Sequence, residues 1–344
     1  MRYLGNKTRM LEKIDDFIKR NKIDGTIFCD LFSGSASVCD YFKDRYQIIA
    51  NDILKSSFYF TKAKVTNADV PSFCTFKQIH GVDVFDYFTH KKYPKNDKHF
   101  LWKNYSPRGG RQFFTEEVAN KIDGIRLELD ILLKNKEINE HEYDFLLASL
   151  LETTMGLSNT TGTYEAFLKN WDSRAHKTFV LKPLSLAKKP LFSENNVVYN
   201  EDSNNLIKKI RGDILYLDTP YTVTDYSSAY HLLETIALYD NPEIRGLTGR
   251  RVKKPEKSKY SIENKVADVY EDLIKNANFK HIVISYSTQS LLPIDSLVAI
   301  LEKYSNFEVI VGEFPFREYK NIRSSQKTPN LKEVLIYMRK NGNN

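Results

Sequence analysis

The 344-residue sequence contains few glycines, prolines and cysteines. Its 14 glycines and 11 prolines fall below average usage, which excludes collagen-like and Gly/Pro-rich disordered chains. With 41% hydrophobic residues, a chain of this length can bury a sizeable core. The three cysteines, Cys29, Cys39 and Cys74, are odd in number and form no Cys-Xaa-Xaa-Cys pair, which excludes a disulfide framework and a zinc site. We expect them to be buried apolar side chains.

The sequence also lacks a hydrophobic run long enough to span a membrane. Its richest apolar stretch, Phe145–Leu157, is interrupted by Ser149 and Glu152 and falls short of the ~20 residues that a helix needs to cross a bilayer. The first residues, Met1–Lys7, lead into a charged amphipathic stretch instead of the apolar core of a signal peptide. We therefore expect a cytoplasmic protein with no membrane partner.

The net charge is only +7, but it is concentrated in one place. The segment Asn241–Tyr260 carries seven lysines and arginines against two glutamates, so it accounts for most of the excess. Such a run is typical of a solvated loop and equally of a surface that binds phosphates. Taken alone, its composition favours neither interpretation.

The first seventy residues predict the opening of a doubly wound α/β sheet. A β-rich apolar run, Thr26–Phe32, is followed by a turn of small residues, Ser33–Ser37, and by helical spacing over Val38–Phe42. A second strand is predicted over Tyr46–Asn51, and a helix over Ile53–Asn67.

The same kind of pattern returns in the second half of the chain. Strands are predicted at Asn196–Tyr199, Asp213–Leu217, Lys280–Tyr286, Phe307–Gly312 and Glu333–Met338, with helices at Ser203–Ile210 and Ser261–Ala277. Between the two halves, aromatic and basic loops flank a helical hairpin, Thr115–Lys134 and Asn139–Leu151. We therefore predict one discontinuous domain of residues 1–69 and 191–344, split by an inserted, mainly helical domain of residues 70–190.

Two acidic residues follow the first two predicted strands. The segment Asp30–Ala36 stands where open α/β sheets bind ligands, and its small residues let a nucleoside-containing cofactor approach the backbone. The segment lacks the three glycines of the dinucleotide fingerprint, which argues against NAD. Asp52 ends the next strand, where a carboxylate can accept hydrogen bonds from ribose hydroxyls or cap the following helix.

A third strand leads into Asp218-Thr219-Pro220-Tyr221. Asp218 and the Thr219 carbonyl can accept the two protons of an exocyclic amine, and Tyr221 can stack on the base that carries it. Pro220 fixes φ near −65° and holds the neighbouring carbonyl in place. The same residues are also typical of an ordinary turn that leaves a strand.

Taken together, these blocks resemble a Dam-like adenine-N6 DNA methyltransferase of the α motif order. Arg2-Tyr3-Leu4-Gly5-Asn6-Lys7 resembles the first block of that family, Asp30–Ser37 its cofactor loop, and Asp218–Tyr221 its Asp-Pro-Pro-Tyr tetrad. Asp52 and Asp202 match the ribose-binding and adenine-binding acids in order and spacing. The resemblance implies a Rossmann-like S-adenosylmethionine-dependent methyltransferase sheet, which would make residues 1–69 and 191–344 catalytic and the insertion a target-recognition domain.

The resemblance also assigns roles to residues of this chain. The catalytic residues would be Asp218, Thr219, Pro220 and Tyr221, and the S-adenosyl-L-methionine site would be formed by Tyr3, Lys7, Asp30, Phe32, Gly34, Asp52, Asp202 and Asp218. Direct transfer of the methyl group requires no metal ion. Two residues depart from the family pattern: Ala36 stands at the second glycine of the loop, and Thr219 at the first proline of the tetrad.

Double-stranded DNA is the partner that the resemblance implies. We expect Arg250, Arg251, Lys253 and Lys254 of the basic segment to contact phosphates, and Arg108, Arg111 and Asn159 of the insertion to read base edges. The role would be that of a modification enzyme in a restriction-modification system or a phage, acting as a monomer. A cognate restriction endonuclease would be encoded nearby without touching it.

Other functions fit the tetrad as well. Cytosine in DNA and adenine in RNA carry exocyclic amines that the same residues could hold. A non-catalytic DNA-binding relative is a further alternative, with the altered tetrad as its indication.

Overall fold

The computed structural model describes residues 3–315 and 332–341. Within them the strands are β1 (Ile27–Asp30), β2 (Gln47–Asn51), β3 (Val197–Tyr199), β4 (Arg211–Leu217), β5 (Ile244–Arg245), β6 (Arg250–Arg251), β7 (Asn278–Ser287), β8 (Ile310–Pro315) and β9 (Lys332–Arg339). The helices are α1 (Leu11–Arg20), α2 (Ser37–Phe42), α3 (Lys55–Val65), α4 (Cys74–His80), α5 (Val84–His90), α6 (Phe100–Asn104), α7 (Glu116–Lys134), α8 (Glu140–Leu157), α9 (Ser203–Leu206), α10 (Tyr226–Ala229), α11 (His231–Leu238), α12 (Val266–Asn276) and α13 (Ile294–Glu302).

Seven of these strands form one sheet in the order β3-β2-β1-β4-β7-β9-β8, and β5 and β6 pair separately as an antiparallel hairpin. The first five of this order are parallel, whereas β9 runs antiparallel to β7 and β8 antiparallel to β9. Parallel strands end at a common edge, so the segments that follow β1, β2 and β4 meet there. The predicted α/β class and mostly parallel sheet are confirmed.

Helices cover both faces of the sheet, as expected for strands whose side chains are apolar on both sides. On one face α1 and α2 pack through Ile14, Phe17 and Phe42. On the other face α12 and α13 pack through residues such as Leu273 and Leu297. The central strands are therefore inaccessible, and a ligand can reach this sheet only at an edge.

The segment of residues 70–190 contains helices α4 to α8. Thr115 caps α7 by accepting a hydrogen bond from the Val118 amide, and Asn139 and Glu142 form a reciprocal capping box at α8. The apolar side chains of this segment share one core with Phe60 of α3 and with α11. Because the core crosses the predicted boundary, the division into two domains stays a prediction.

Most predicted elements agree with the structure within a few residues. The helix predicted from Ser203 ends at Leu206, and α12 begins at Val266, five residues later than predicted. Cys29 and Cys39 are buried as expected, but Cys74 is exposed, so the prediction for it is wrong. Of the helices in the described ranges, none combines the length and hydropathy that a membrane crossing requires.

Candidate active site at the carboxyl edge of the sheet

A cavity of about 880 Å³ opens where β1, β2 and β4 end. Every residue predicted to bind the cofactor or to form the tetrad lines it, namely Tyr3, Lys7, Asp30, Phe32, Gly34, Asp52, Asp202, Asp218, Thr219, Pro220 and Tyr221. Arg2 lies outside the described residues. Residues that are separated by more than 200 positions in the sequence thus share one pocket of the size of a small-molecule site.

Asp30 is a buried carboxyl group at the end of β1. Its side chain is 1% exposed, and neither carboxylate oxygen has a hydrogen-bond partner among the described residues. Burial, and next the nearby charge of Asp218, raise the pKa of Asp30 to about 8, although the Cys39 amide and thiol lie close enough to oppose part of the shift. A carboxylate in this state suits a ligand that brings a cation to it.

Asp52 ties the loop after β1 to the end of β2. Its two oxygens accept hydrogen bonds from the amides of Gly34 and Leu54, each at 2.8 Å. Burial raises its pKa to about 6, and these two amides oppose the shift. Since a carboxylate has about four acceptor positions, Asp52 can still accept hydrogen bonds from a ligand hydroxyl. Helix α3 begins at Lys55 without a side-chain cap, so the alternative of Asp52 as its N-cap is wrong.

The loop that follows β1 has a backbone conformation that glycine favours. Gly34 has φ +51°, and a Cβ atom there would lie 3.4 Å from the Tyr3 ring. Ala36 also adopts the left-handed conformation, with φ +62° and a fully buried side chain. That conformation costs a non-glycine residue roughly 1–2 kcal/mol, so the departure from glycine is accommodated at the expense of stability.

Asp202 lies on the far side of the cavity, after β3. It is exposed and caps α9, since its side chain accepts a hydrogen bond from the Asn205 amide at 3.0 Å. Glu201 also lines the cavity. The structure therefore offers two neighbouring acids at the position for which the sequence suggested one.

Lys7 and Asp218 form a buried ion pair on the other side of the cavity. The Lys7 ammonium lies 2.9 Å from Oδ1 of Asp218 and 4.0 Å from Glu333 of β9, and the Lys7 side chain is 4% exposed. Burial raises the pKa of Asp218, whereas Lys7 opposes that shift. Burial alone would lower the pKa of Lys7, but the surrounding acids raise it well above its usual value. Lys7 therefore stays charged and favours the ionised form of Asp218.

The threonine that departs from the tetrad pattern is anchored by its own side chain. Thr219 is buried, and its hydroxyl is hydrogen-bonded to the hydroxyl of Tyr270 on α12. The backbone after Tyr221 is also held, because the Tyr221 carbonyl accepts a hydrogen bond from the Leu291 amide at 2.9 Å. A proline could not make the first contact, so this chain fixes its tetrad to a neighbouring helix in a way that proline does not allow.

Sequence reasoning missed an aromatic wall beside the tetrad. Tyr3 and Tyr230 stack with ring centroids 4.3 Å apart and parallel planes, and Tyr226 lies 6.3 Å from Tyr230. Tyr3 and Tyr226 line the cavity. The spacing of Tyr226 and Tyr230, one helical turn apart shortly after Tyr221, is the signal that could have found them.

The basic segment, residues 241–260, is used partly for internal contacts. Arg251 is 5% exposed and forms a bidentate pair with Asp240 at 2.6 and 2.8 Å, so its burial argues against the predicted phosphate contact. Lys254 is paired with Asp225, four residues after the tetrad. Arg250 lies 3.4 Å from Glu165 and remains 44% exposed, and Lys253 is exposed. A phosphate contact of Arg250, Lys253 and Lys254 stays a prediction.

The predicted base-reading residues also differ in whether their side chains are already used for contacts within the protein. Asn159 is fully buried, and its side chain bonds to the backbone of Gln112, Leu168 and Asp172, which argues against a base contact. The Arg111 guanidinium donates hydrogen bonds to backbone carbonyls, so its donors are occupied here rather than directed at a base edge. Arg108 is 50% exposed and lies over the Trp102 ring at 4.3 Å. Its role as a base reader stays a prediction.

Comparison with known proteins adds family information to this geometry. The family model described as "D12 class N6 adenine-specific DNA methyltransferase" matches residues 3–300. Modification methylase LlaI of Lactococcus lactis subsp. lactis is 44% identical over 99% of this chain, and Type II methyltransferase M.FokI of Planomicrobium okeanokoites is 41% identical over 99%. This chain spans only 55% and 53% of the length of those two relatives. Type II methyltransferase M.NlaIII of Neisseria lactamica is 32% identical, with 98% of both chains covered.

Proposed function

Because the chain belongs to the D12 class of N6 adenine-specific DNA methyltransferases, we propose that it methylates the exocyclic N6 amine of an adenine flipped out of duplex DNA. The observation that carries this proposal is the sharing of one cavity by an unpaired buried carboxylate, Asp30, and the tetrad. Asp30 ends β1, and Asp218 lies two residues beyond its β4 neighbour, Tyr216. A methyl donor at Asp30 and a methyl acceptor at the tetrad can therefore meet in this pocket.

The methyl donor we propose is S-adenosyl-L-methionine, and the residues present fit it. Asp30 would pair with the amino group of its methionine part, which explains why this acid has no hydrogen-bond partner in the part of the chain that the structure describes. Asp52 would accept hydrogen bonds from the ribose, and Asp202 or Glu201 from the adenine amine. Tyr3, Phe32 and Gly34 would line the remaining walls. When bound, S-adenosylmethionine supplies a methyl group on a positively charged sulfur.

The tetrad would hold the target amine. An adenine inside a duplex is stacked, and its amine lone pair is delocalised into the ring, so the base must leave the stack before it can react. Asp218 and the Thr219 carbonyl would accept the two amine hydrogens and thereby localise the lone pair. Tyr221 would replace the lost stacking, and its ring already lies 5.4 Å from the Lys7 ammonium.

Lys7 has a specific part in this proposal. A protonated Asp218 would present a hydroxyl donor and a weaker acceptor to the amine, and burial pushes it toward that form. The ammonium of Lys7 contacts Oδ1 at 2.9 Å and favours the carboxylate, which leaves Oδ2 for the amine. Lys7 is thus a positioning residue for Asp218, and holding both reactants in line provides most of the acceleration.

The biological role we propose is restriction-modification, because the relatives bear names such as "modification methylase". In that role the protein protects a specific sequence of double-stranded DNA in the cytoplasm against a cognate endonuclease, as a monomer and without contact with that enzyme. A phage-encoded modification enzyme would use the same site.

The test is transfer of label from S-adenosylmethionine to mixed-sequence duplex DNA, followed by analysis of the nucleosides. We expect label in N6-methyladenine. Label in N4-methylcytosine, or transfer to RNA in preference to DNA, would establish one of the alternative amines instead. Cofactor binding without transfer to any nucleic acid would identify a non-catalytic relative and contradict the proposal.

A further inference from the structure

The hairpin of β5 and β6 presents one apolar side chain to solvent. Leu247, at its tip, is 78% exposed, which is the highest value for a large hydrophobic residue in the described part of the chain. It stands in the turn Gly246-Leu247-Thr248-Gly249, in which both glycines have positive φ values of +73° and +65°. These conformations are strained for other residues, so the turn depends on its glycines.

The tip is held rigidly. The Arg111 guanidinium donates to the Leu247 carbonyl at 3.0 Å and to the Gly246 carbonyl at 3.1 Å, and the Tyr105 hydroxyl donates to the Gly249 carbonyl at 2.6 Å. A Cβ atom on Gly249 would lie 2.9 Å from both of these side chains. At the base of the hairpin, the pair of Arg251 and Asp240 fixes β6. A loosely held loop could turn Leu247 inward, but this turn cannot do so easily.

The surroundings of Leu247 indicate a polyanion as its partner. Arg245 and Arg250 face each other directly across the two strands, an arrangement that like charges disfavour, and Glu165, 3.4 Å from Arg250, offsets one of the two charges. The exposed Lys253 follows, and no carboxylate occurs in the sequence between Glu243 and Glu256. A protein partner for an apolar tip would more commonly offer an apolar pocket without this ring of cations, whereas DNA phosphates complement it.

The hairpin is also close to the active site. Pro255, four residues after Arg251 and eight after Leu247, lines the cavity, so at most about 14 Å of extended chain separates it from the base of the hairpin and at most about 29 Å from the tip. Lys254 bonds to Asp225, Ser227 and Ser228, which follow the tetrad. DNA that contacts the tip of the hairpin is therefore within about one helical turn of the cavity that would receive the flipped base.

From these observations we infer that Leu247 is an apolar wedge that enters the base stack of duplex DNA when the target adenine leaves it. Leucine is among the side chains that proteins insert between base steps, and such insertion offsets the loss of stacking. Arg111 and Tyr105 position the wedge, while the exposed Arg245 and Lys253 bind the adjoining phosphates. The inference rests on the proposed function, because it requires a base that is flipped from a duplex.

The experiment compares Leu247→Ser with wild type on a duplex that carries the methylated sequence once wild-type product has been mapped. A second duplex lacks the base opposite the target adenine, which makes extrusion easier. We expect Leu247→Ser to lower the single-turnover rate about tenfold on the intact duplex and no more than about twofold on the second one. With 2-aminopurine at the target position, the fluorescence increase on binding should fall in parallel.

Two control variants accompany it. Leu247→Met keeps an apolar tip and should retain most of the wild-type rate. Phe307→Ser removes another large side chain, 51% exposed, which lies beside Arg339 near the opposite edge of the sheet, and should leave both rates unchanged. Equal rates for Leu247→Ser and wild type on both duplexes, or an equal loss on both, would overturn the wedge. Absence of methylation by the wild-type protein would instead refute the proposed function.

Discussion

The carboxyl edge of the sheet and the basic segment differ in whether their ionisable side chains are paired within the described structure. At the carboxyl edge of the sheet, Asp30 is buried without a hydrogen-bond partner among residues 3–315 and 332–341, and its pKa is raised to about 8 by that burial. In the basic segment, Arg251, Lys254 and Arg250 reach acids that lie outside the segment, at Asp240, Asp225 and Glu165. A buried acid without a partner among the described residues indicates a ligand, whereas a charge with a close internal partner indicates a structural contact.

The comparison also shows that a conspicuous sequence pattern is not the best indication of a functional residue. The basic segment has the most conspicuous composition in the chain, yet part of its charge stabilises its own hairpin. Asp30 is one acid among the 44 Asp and Glu residues of the sequence, and it carries the clearest structural evidence for a cofactor. The following predictions test this contrast, beginning with the largest expected effect.

Replacing Asp30 by asparagine should weaken binding of S-adenosylmethionine about 100-fold, because a charge-assisted hydrogen bond to the ligand ammonium is lost. The same variant should raise the free energy of unfolding of the cofactor-free protein near pH 8, because no charge has to be buried. Isothermal titration calorimetry and urea unfolding measure the two effects. Unchanged affinity would show that Asp30 does not face the cofactor.

Replacing Arg251 by alanine should lower the free energy of unfolding by about 2 kcal/mol, since Arg251 is buried and its bidentate contact with Asp240 is lost. Urea denaturation measures this change. Arg245→Ala, on the neighbouring strand, is the matched control and should leave stability nearly unchanged because Arg245 is exposed. Equal stability of both variants would mean that the internal pairing contributes little.

Raising the pH from 6.5 to 8 should strengthen cofactor binding about tenfold. The pKa of Asp30 lies near 8 in the folded protein, against 3.8 for an ordinary aspartate, so the carboxyl must lose a proton before it can bind a cation. By linkage, the cofactor-free protein should lose stability as pH rises from about 4 to about 8, since the unfolded chain releases this proton first. Asp30→Asn should flatten both profiles; a steep affinity profile in that variant would assign the titration to another group.

Replacing Lys253 by alanine should weaken DNA binding only two- to threefold in ordinary salt, and should reduce the slope of log K against log salt by about 0.9. The exposed Lys253 takes no part in the hairpin's base, so the melting temperature should not change. Filter binding at several salt concentrations measures the slope. An unaltered slope would show that this cation does not contact phosphate.

The sheet edge could be predicted because its signals are local. Asp30, Asp52 and Asp218 each follow an apolar strand, and the rule that parallel strands end at one edge brings them together without further information. The position of Thr219 was noted from the sequence as a departure. Its hydrogen bond to Tyr270, however, depends on how α12 packs on the sheet, which strand and helix patterns do not specify.

Which cations of the basic segment pair with acids could not be predicted from the sequence in the same way. Arg251 and Asp240 are eleven residues apart, and their meeting requires the hairpin turn at Gly246 and Gly249. Glu165 is 85 residues from Arg250 and reaches it only through the packing of the segment 70–190. A basic composition indicates an anion partner in general, but only the folded structure distinguishes the cations that are already paired.

The most direct test of the central claim is a paired measurement on Asp218→Ala, in which cofactor affinity and methyl transfer to duplex DNA are determined with the same preparation. Asp218 holds the target amine in this account, whereas Asp30 holds the cofactor. Transfer should therefore fall by at least about a thousandfold, while affinity for S-adenosylmethionine stays within a few-fold of wild type. Near-normal transfer by Asp218→Ala would contradict the account.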